Sequence, residues 1–229
     1  MEIYKTIAKR ASAEQVIERS RFIAHISPVE TREEADAFID EIKATYRDAT
    51  HNVPAMVIGD KQQIQWGSDD GEPQGTSGAP MVQLIVSEGL TNLVVVVTRY
   101  FGGIKLGTGG LVRAYSSSAR LAIEEAGICR VCDMRSISVV VDYSSFEKIK
   151  RAASDSIGEG PLSEEAATDA EEAEGSMRFV IEDVEYTDKV TLTLLTHEEW
   201  GDALTEMITN MTVGNAQITG SESVRRKIV

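Results

Sequence analysis

The stretch Leu93-Val94-Val95-Val96-Val97-Thr98-Arg99-Tyr100-Phe101-Gly102-Gly103-Ile104-Lys105-Leu106-Gly107-Thr108-Gly109-Gly110-Leu111 decides the fold. Its first five residues are apolar without alternation and four are β-branched, which predicts a strand buried on both faces. Between Gly102 and Gly110, five of nine residues are glycine. Such density marks backbone that needs unusual dihedrals or close approach to another group. From Leu111 to Ala126 apolar residues recur at helical spacing, and Gly127 ends the run. A strand, a glycine-rich turn and a helix, in that order, are how loops that cradle anions are built. They are also how a tight turn packs on neighbouring backbone, and both readings stand at this point. Neither standard nucleotide fingerprint fits. Gly107 is followed by Thr108-Gly109 rather than Lys-Ser/Thr, and Gly107-Thr108-Gly109-Gly110-Leu111-Val112 lacks the third glycine of G-x-G-x-x-G.

Working outward, residues 1–27 read as strands. Thr31 then opens a helix, with Glu34 as its capping-box partner and Ala35, Phe38, Ile39 and Ile42 as its apolar stripe. Val53–Ile58 reads as a strand, and Gln63–Trp66 as its return across an Asp60-Lys61 turn. Gly67–Pro80 is a loop rich in Gly, Pro, Asp and Ser, and Met81–Ser87 is the next helix, closed by Gly89. Residues 129–133 read as a crossing between domains. Beyond it come a strand (Ser136–Val141), a helix capped by Ser144 or Ser145 (to Ala153), an acidic loop (158–176) and a hairpin (Met177–Tyr186, Val190–Thr196). A helix (His197–Met211) and a strand (Val213–Val224) follow. This β-α-β-β-α-β order is the ferredoxin-like pattern. The fold class expected is therefore α+β in two domains, 1–130 and 131–229.

The chain has 229 residues, 42% hydrophobic and 26% charged, which is ordinary globular usage. No run of about 18 apolar residues occurs, so no membrane span is expected. The first residues lack the apolar core of a signal peptide, and two cysteines form no disulfide framework, so a cytoplasmic location is expected. The net charge is −14, against a polyanion binder taken whole. Yet no acidic residue lies between Glu88 and Glu124, while Arg99, Lys105, Arg113 and Arg120 do. That island reads either as a local positive potential or as core segments that need no acids.

Asp69-Asp70-Gly71-Glu72 places three carboxylates in four residues. Such a loop could hold a divalent cation or supply a general base, but a solvated turn is the plainer reading. An EF-hand is excluded because the later ligands are missing. Cys129-x-x-Cys132 lacks two further zinc ligands, and His25, His51 and His197 show no partner spacing. No metal and no cofactor are therefore expected, and no residue is assigned a catalytic role. Ser116-Ser117-Ser118 sits inside a helix without an evident base, and His51 beside Asn52 could bond a phosphate or cap a strand.

These residues carry a resemblance. Ser20-Arg21-Phe22-Ile23-Ala24, Ala49-Thr50-His51-Asn52-Val53-Pro54-Ala55, Asp69-Asp70-Gly71-Glu72-Pro73-Gln74-Gly75-Thr76-Ser77-Gly78 and, most specifically, Val96 to Tyr115 resemble the IMPACT N-terminal domain, whose bacterial branch is the YigZ family. Residues 135–224 look like the small domain that follows it in bacteria. Val53 stands where cysteine is frequent, and the acidic stretch looks like an insertion. The resemblance implies a ribosomal protein S5 domain-2-like fold for 1–130, related to domain IV of elongation factor G, and a ferredoxin-like fold for 131–229. It also implies a translation-linked binding protein.

The expectation is a non-enzymatic regulator of translation that binds RNA or the ribosome. Arg99, Gly102, Gly103, Lys105, Gly107, Thr108, Gly109, Gly110, Arg113 and Arg120 would hold phosphates, and Tyr100, Phe101 or Tyr115 could stack on a base. His51, Asp69, Asp70 and Glu72 form a secondary site. Two alternatives stand beside it. One is a protein-interaction module without nucleic acid. The other is a nucleotide-binding enzyme related to small-molecule kinases of the S5-like fold, with Gly107–Gly110 on phosphate and Asp69, Asp70 or Glu72 on magnesium.

Overall fold

A computed structural model of the chain describes residues 2–157 and 177–228. The acidic stretch 158–176, expected as a loop, lies outside the described residues. Two compact units emerge, one of Tyr4–Arg130 and one that takes Val131 onward together with the chain's first residues, Glu2 and Ile3. Both are mixed α/β and built on antiparallel strand pairs.

In chain order the first part of the molecule is β1 (Glu2–Ile7), β2 (Ala11–Ile17), β3 (Ser20–Pro28), α1 (Arg32–Thr45), β4 (His51–Ile58), β5 (Ile64–Gly67), α2 (Gly78–Ser87), β6 (Leu93–Tyr100) and α3 (Gly107–Ala126). One sheet has the order β2-β3-β6-β4-β5. Its central strand β6 is buried on both faces. Leu93, Val95 and Val97 join Val53, Ala55, Met81, Ile85, Leu111 and Tyr115 in a core with α2 and α3. Val94 and Val96 enter a second core with Phe38, Ile39, Ile42 and Met56, on the α1 face. All five side chains from Leu93 to Val97 are fully buried, each worth about 1.5–3 kcal/mol. On α3 the buried residues run Leu111, Ala114, Tyr115, Ser118, Ala119, Ala122, Ile123, Ala126, a continuous helical stripe. The serines within it are packing groups, since the Gln15 amide donates to Ser117 Oγ at 2.8 Å and Ser118 Oγ at 2.7 Å.

The α1 cap forms as expected on one side only. Thr31 Oγ1 accepts from the Glu34 N–H at 3.2 Å, but the Glu34 carboxylate reaches back to the Glu30 N–H at 2.7 Å. Beside α1, the β3 residue His25 is buried and its Nε2 has no hydrogen-bond partner. Its ring lies against Tyr46, 4.8 Å between centroids. Burial, and then the nearby Arg10 charge, push its pKa down to about 4, against a smaller opposing pull from Glu41. The unfolded chain binds the proton near pH 6.5 and the folded chain only near 4. Stability is therefore full above pH 6.5 and falls as the pH drops from 6.5 to 4. The loss should be on the order of 2 kcal/mol, and His25→Phe should remove that part of the slope. Urea midpoints at pH 7 and pH 4 for both proteins check this.

The second unit contains β7 (Ile128–Val141), α4 (Tyr143–Ile157), β8 (Phe179–Tyr186), β9 (Val190–His197), α5 (Gly201–Met211) and β10 (Gln217–Ile228). β8 pairs with β9, β9 with β7, and β10 with β7. Ile137, Val139, Phe146, Ile149, Leu192 and Leu204 centre its core. Residues 129–133, expected as a crossing, are part of β7, with Cys129 and Cys132 both buried in it. The α4 cap is Asp142 rather than a serine: its Oδ1 accepts from the Ser145 N–H at 2.6 Å and the Ser144 hydroxyl at 2.8 Å. The expected helix 197–211 divides into a 3-10 turn (Glu198–Trp200) and α5. The last strand starts at Gln217, not Val213, because Val213 (φ 52°) and Gly214 (φ 77°) form a left-handed turn. No helix among the described residues is long and apolar enough to cross a membrane.

Candidate nucleic-acid interface

The sheet register brings distant motifs together. In β6, Arg99 sits between Phe22 of β3 and His51 of β4. Its side chain is 6% exposed, and its Nη1 donates to Glu72 Oε1 at 2.6 Å. Nη2 donates to Ser20 Oγ at 3.3 Å. Glu72, 4% exposed, also accepts from the Tyr115 hydroxyl at 2.7 Å. His51 Nε2 lies 3.9 Å from the same oxygen. Burial, and then the bond to Glu72, drive the Tyr115 pKa well above the usual phenol value, so the phenol stays a donor.

The segment Asp69–Glu72 is a folded polar staple rather than the solvated turn expected. Asp69 Oδ1 accepts from Ser77 N–H (3.1 Å), Ser77 Oγ (2.7 Å) and Gly78 N–H (3.0 Å), and its Oδ2 accepts from Gly75 N–H at 2.7 Å. These bonds serve the start of α2, whose N-cap Ser77 makes no side-chain cap of its own. That is why α2 begins at Gly78 and not Met81. Burial works to raise the Asp69 pKa, and the four donors outweigh it, leaving a net lowering. Asp70 accepts from Lys43 Nζ at 3.0 Å and Asn52 N–H at 2.7 Å. Its carbonyl lies 2.7 Å from His51 Nδ1. A carbonyl only accepts, so Nδ1 carries the proton. The three carboxylates thus bind three different sets of protein donors.

Of the four cations expected to form a pocket, two are engaged internally. Arg99 is buried on Glu72. Arg120 pairs with Glu88 at 2.8 Å, the residue that bounds the acid-free interval on its N-terminal side. Lys105 and Arg113 are exposed, and among the described residues neither has a carboxylate partner. The Arg113 guanidinium lies beside the first turn of α3, its Nη1 3.8 Å from where a Gly109 Cβ would be. That turn has no side-chain cap at Leu106, and Gly107, Thr108 and Gly109 are exposed. Gly103 (φ 86°) and Gly107 (φ 69°) adopt left-handed backbone, while Gly102 is needed for close approach. A Cβ on Gly102 would lie 1.9 Å from the Arg19 carbonyl oxygen.

The three aromatic residues named for stacking separate as well. Tyr115 is fully buried, and the Tyr100 hydroxyl donates to Asp48 at 3.0 Å, whereas Phe101 is 46% exposed. Sequence reasoning missed Ser20, Lys43 and Asn52 as members of the network. No local pattern marks them, since only the register of β3, β4 and β6 brings them to it.

Comparison with known proteins gives four findings. Residues 18–123 match the family model described as the Impact N-terminal domain. The chain is 36% identical over 219 residues to the IMPACT family member YvyE of Bacillus subtilis, covering 96% of this chain and 91% of that protein. It is 35% identical over 153 residues to YigZ of Escherichia coli, covering 66% of this chain and 74% of that one. A crystal structure described as that of a hypothetical protein superposes with a TM-score of 0.56 at 27% identity, over 95% of this chain and 97% of that one.

Proposed function

Since the chain belongs to the IMPACT family, we propose that it is a non-enzymatic regulator of translation that docks on RNA or the ribosome through the ridge from Phe101 to Arg113. In this reading the first domain is 1–130, of the S5 domain-2-like class. The second is 131–229, of the ferredoxin-like class, which the pairing of both β9 and β10 with β7, and of β8 with β9, supports. The observation that carries the docking role is the pair Lys105 and Arg113. Both are exposed and lack carboxylate partners among the described residues, and they sit beside an uncapped helix start on a chain of net charge −14. Phosphate oxygens suit such donors, and the acidic remainder confines contact to this one surface.

Arg99 and Glu72 serve the ridge from beneath by fixing the end of β6. The enzyme alternative assigned Asp69, Asp70 and Glu72 to magnesium, and all three are engaged by protein donors, so the geometry favours binding over catalysis. Gradient co-sedimentation with ribosomal fractions tests the proposal. The wild-type chain should travel with ribosomal particles at low salt and be released by nuclease. Lys105→Glu with Arg113→Glu should leave it at the top of the gradient, while Arg120→Glu should not. Association that survives nuclease and ignores the double variant would instead identify a protein-interaction module.

A further inference from the structure

On the RNA-docking reading above, we infer that the ridge takes single-stranded RNA, with one unpaired base stacked on the Phe101 ring and the adjoining phosphate on Lys105 and Arg113. Phe101 is the exposed end of a stack. The Arg99 guanidinium lies 5.4 Å from the Phe101 ring centroid and 5.4 Å from that of the buried Phe22. Phe22 in turn meets Tyr115 edge to face at 5.4 Å. The inner end of this column is fixed by the Arg99–Glu72–Tyr115 bonds. The main chain that carries the outer ring is anchored, since the Phe101 N–H donates to Thr50 Oγ1 at 3.0 Å. Its neighbour Gly102 donates to Ser20 Oγ at 3.3 Å and packs on Arg19.

An isolated exposed aromatic residue is ordinary surface. Phe101 differs in having its backbone anchored and its ring against the Arg99 guanidinium, and in being followed in the chain by Lys105 and Arg113, which lack carboxylate partners among the described residues. Lys105 is four residues on, and four residues span at most about 14 Å when extended, a reach comparable with one or two nucleotide steps. A platform ordered in advance loses little entropy when a flat ligand settles on it.

The chemistry of the two faces selects the ligand. One face of the Phe101 ring already lies on a buried cation, which withdraws electron density from the ring. A second cation on the outer face is disfavoured, and a neutral base with its own π-face is favoured by offset stacking. An anionic backbone beside such a base matches Lys105 and Arg113. A-form duplex offers the ridge phosphates but keeps its bases stacked inside, so only single strands or loops satisfy both halves of the site.

Anisotropy with a labelled 12-nucleotide oligouridylate and a GC-rich RNA duplex of equal length, on the full chain at low salt, tests this. The single strand should bind at least tenfold more tightly. Phe101→Leu should weaken it roughly 5- to 150-fold without changing the salt dependence. Phe101→Trp should retain binding, and its added indole emission should be quenched on saturation. A thermal melt confirms that each variant folds; should Phe101→Leu fail to fold, the quenching decides. Binding by Phe101→Leu within twofold of wild type, equal binding of duplex, or an unquenched Trp would overturn the stacking. If Lys105→Glu with Arg113→Glu alone weakened binding, phosphate docking would stand without it. If neither RNA bound, the docking reading would fall together with this one.

Discussion

Replacing Glu72 with leucine lowers the stability of the Tyr4–Arg130 unit by about 3–5 kcal/mol, because it strands a buried guanidinium. Arg99 is 5% exposed overall, and its Nε already lacks a partner, so the charge has no route to solvent. The Tyr115 hydroxyl loses its acceptor in the same step. Glu72→Gln is milder, since an amide oxygen still accepts from both donors. The pair itself is a poor source of net stability, as desolvation consumes most of the attraction between the two charges. Arg99→Met combined with Glu72→Leu therefore recovers much of the loss, leaving a coupling energy of more than about 1 kcal/mol. Urea denaturation of the single and double variants measures the cycle, and simple additivity would contradict it. The role assigned to the pair is to hold the ridge, so Glu72→Leu should also weaken RNA binding at temperatures where the chain remains folded.

Gly102→Ala has the second large effect. The added carbon would lie 1.9 Å from the Arg19 carbonyl oxygen and 2.1 Å from its carbon. Both are backbone atoms, in a β2–β3 turn already held at φ 45° (Glu18) and 63° (Arg19). Neither strand can retreat, because β3 and β6 are paired along their length. Overpacking of this kind costs about 3 kcal/mol or more, at or above the usual range. Other glycines of the segment behave differently for stated reasons. At Gly103 an added Cβ meets nothing within 4 Å, so only the φ of 86° opposes alanine, at about 1–2 kcal/mol. At Gly109, in the first turn of α3, an added Cβ meets only the Arg113 Nη1 at an ordinary 3.8 Å, so alanine stabilises by about 0.5–1 kcal/mol. Denaturation midpoints in the order Gly109→Ala, wild type, Gly103→Ala, Gly102→Ala would bear this out. An unaffected Gly102→Ala would contradict it.

The elements that follow from local pattern were legible in the chain. Leu93–Val97 announces a strand covered on both faces, and the two cores found on either side of β6 are what it requires. The end of α3 follows from its stripe and from Gly127 (φ 70°), but its first turn, Gly107–Gly110, read as part of the glycine-rich turn, is already helical. What escaped the sequence is non-local. The start of α2 depends on an acceptor eight residues before its N-cap Ser77, Asp69, which looks like a turn former when read alone. Arg99 and Glu72 lie 27 residues apart in what read as two separate motifs, one basic and one acidic, and the sheet makes them a single buried pair. Arg120 looks unopposed only until Glu88, at the edge of the acid-free interval, is brought across to it. Like-signed residues close in sequence thus overstated the pocket: of four cations, Lys105 and Arg113 remain. Strand β10 was misplaced because its residues are largely exposed and its alternation is weak.

The salt dependence of RNA affinity bears most directly on docking by those two cations. For a single-stranded ligand, the logarithm of the binding constant should fall against the logarithm of salt concentration with a slope of about −1.4, the value for two phosphates on single strands. Lys105→Glu with Arg113→Glu should flatten that slope toward zero. No binding at low salt, or a slope that the double variant leaves unchanged, would contradict the role given to the ridge.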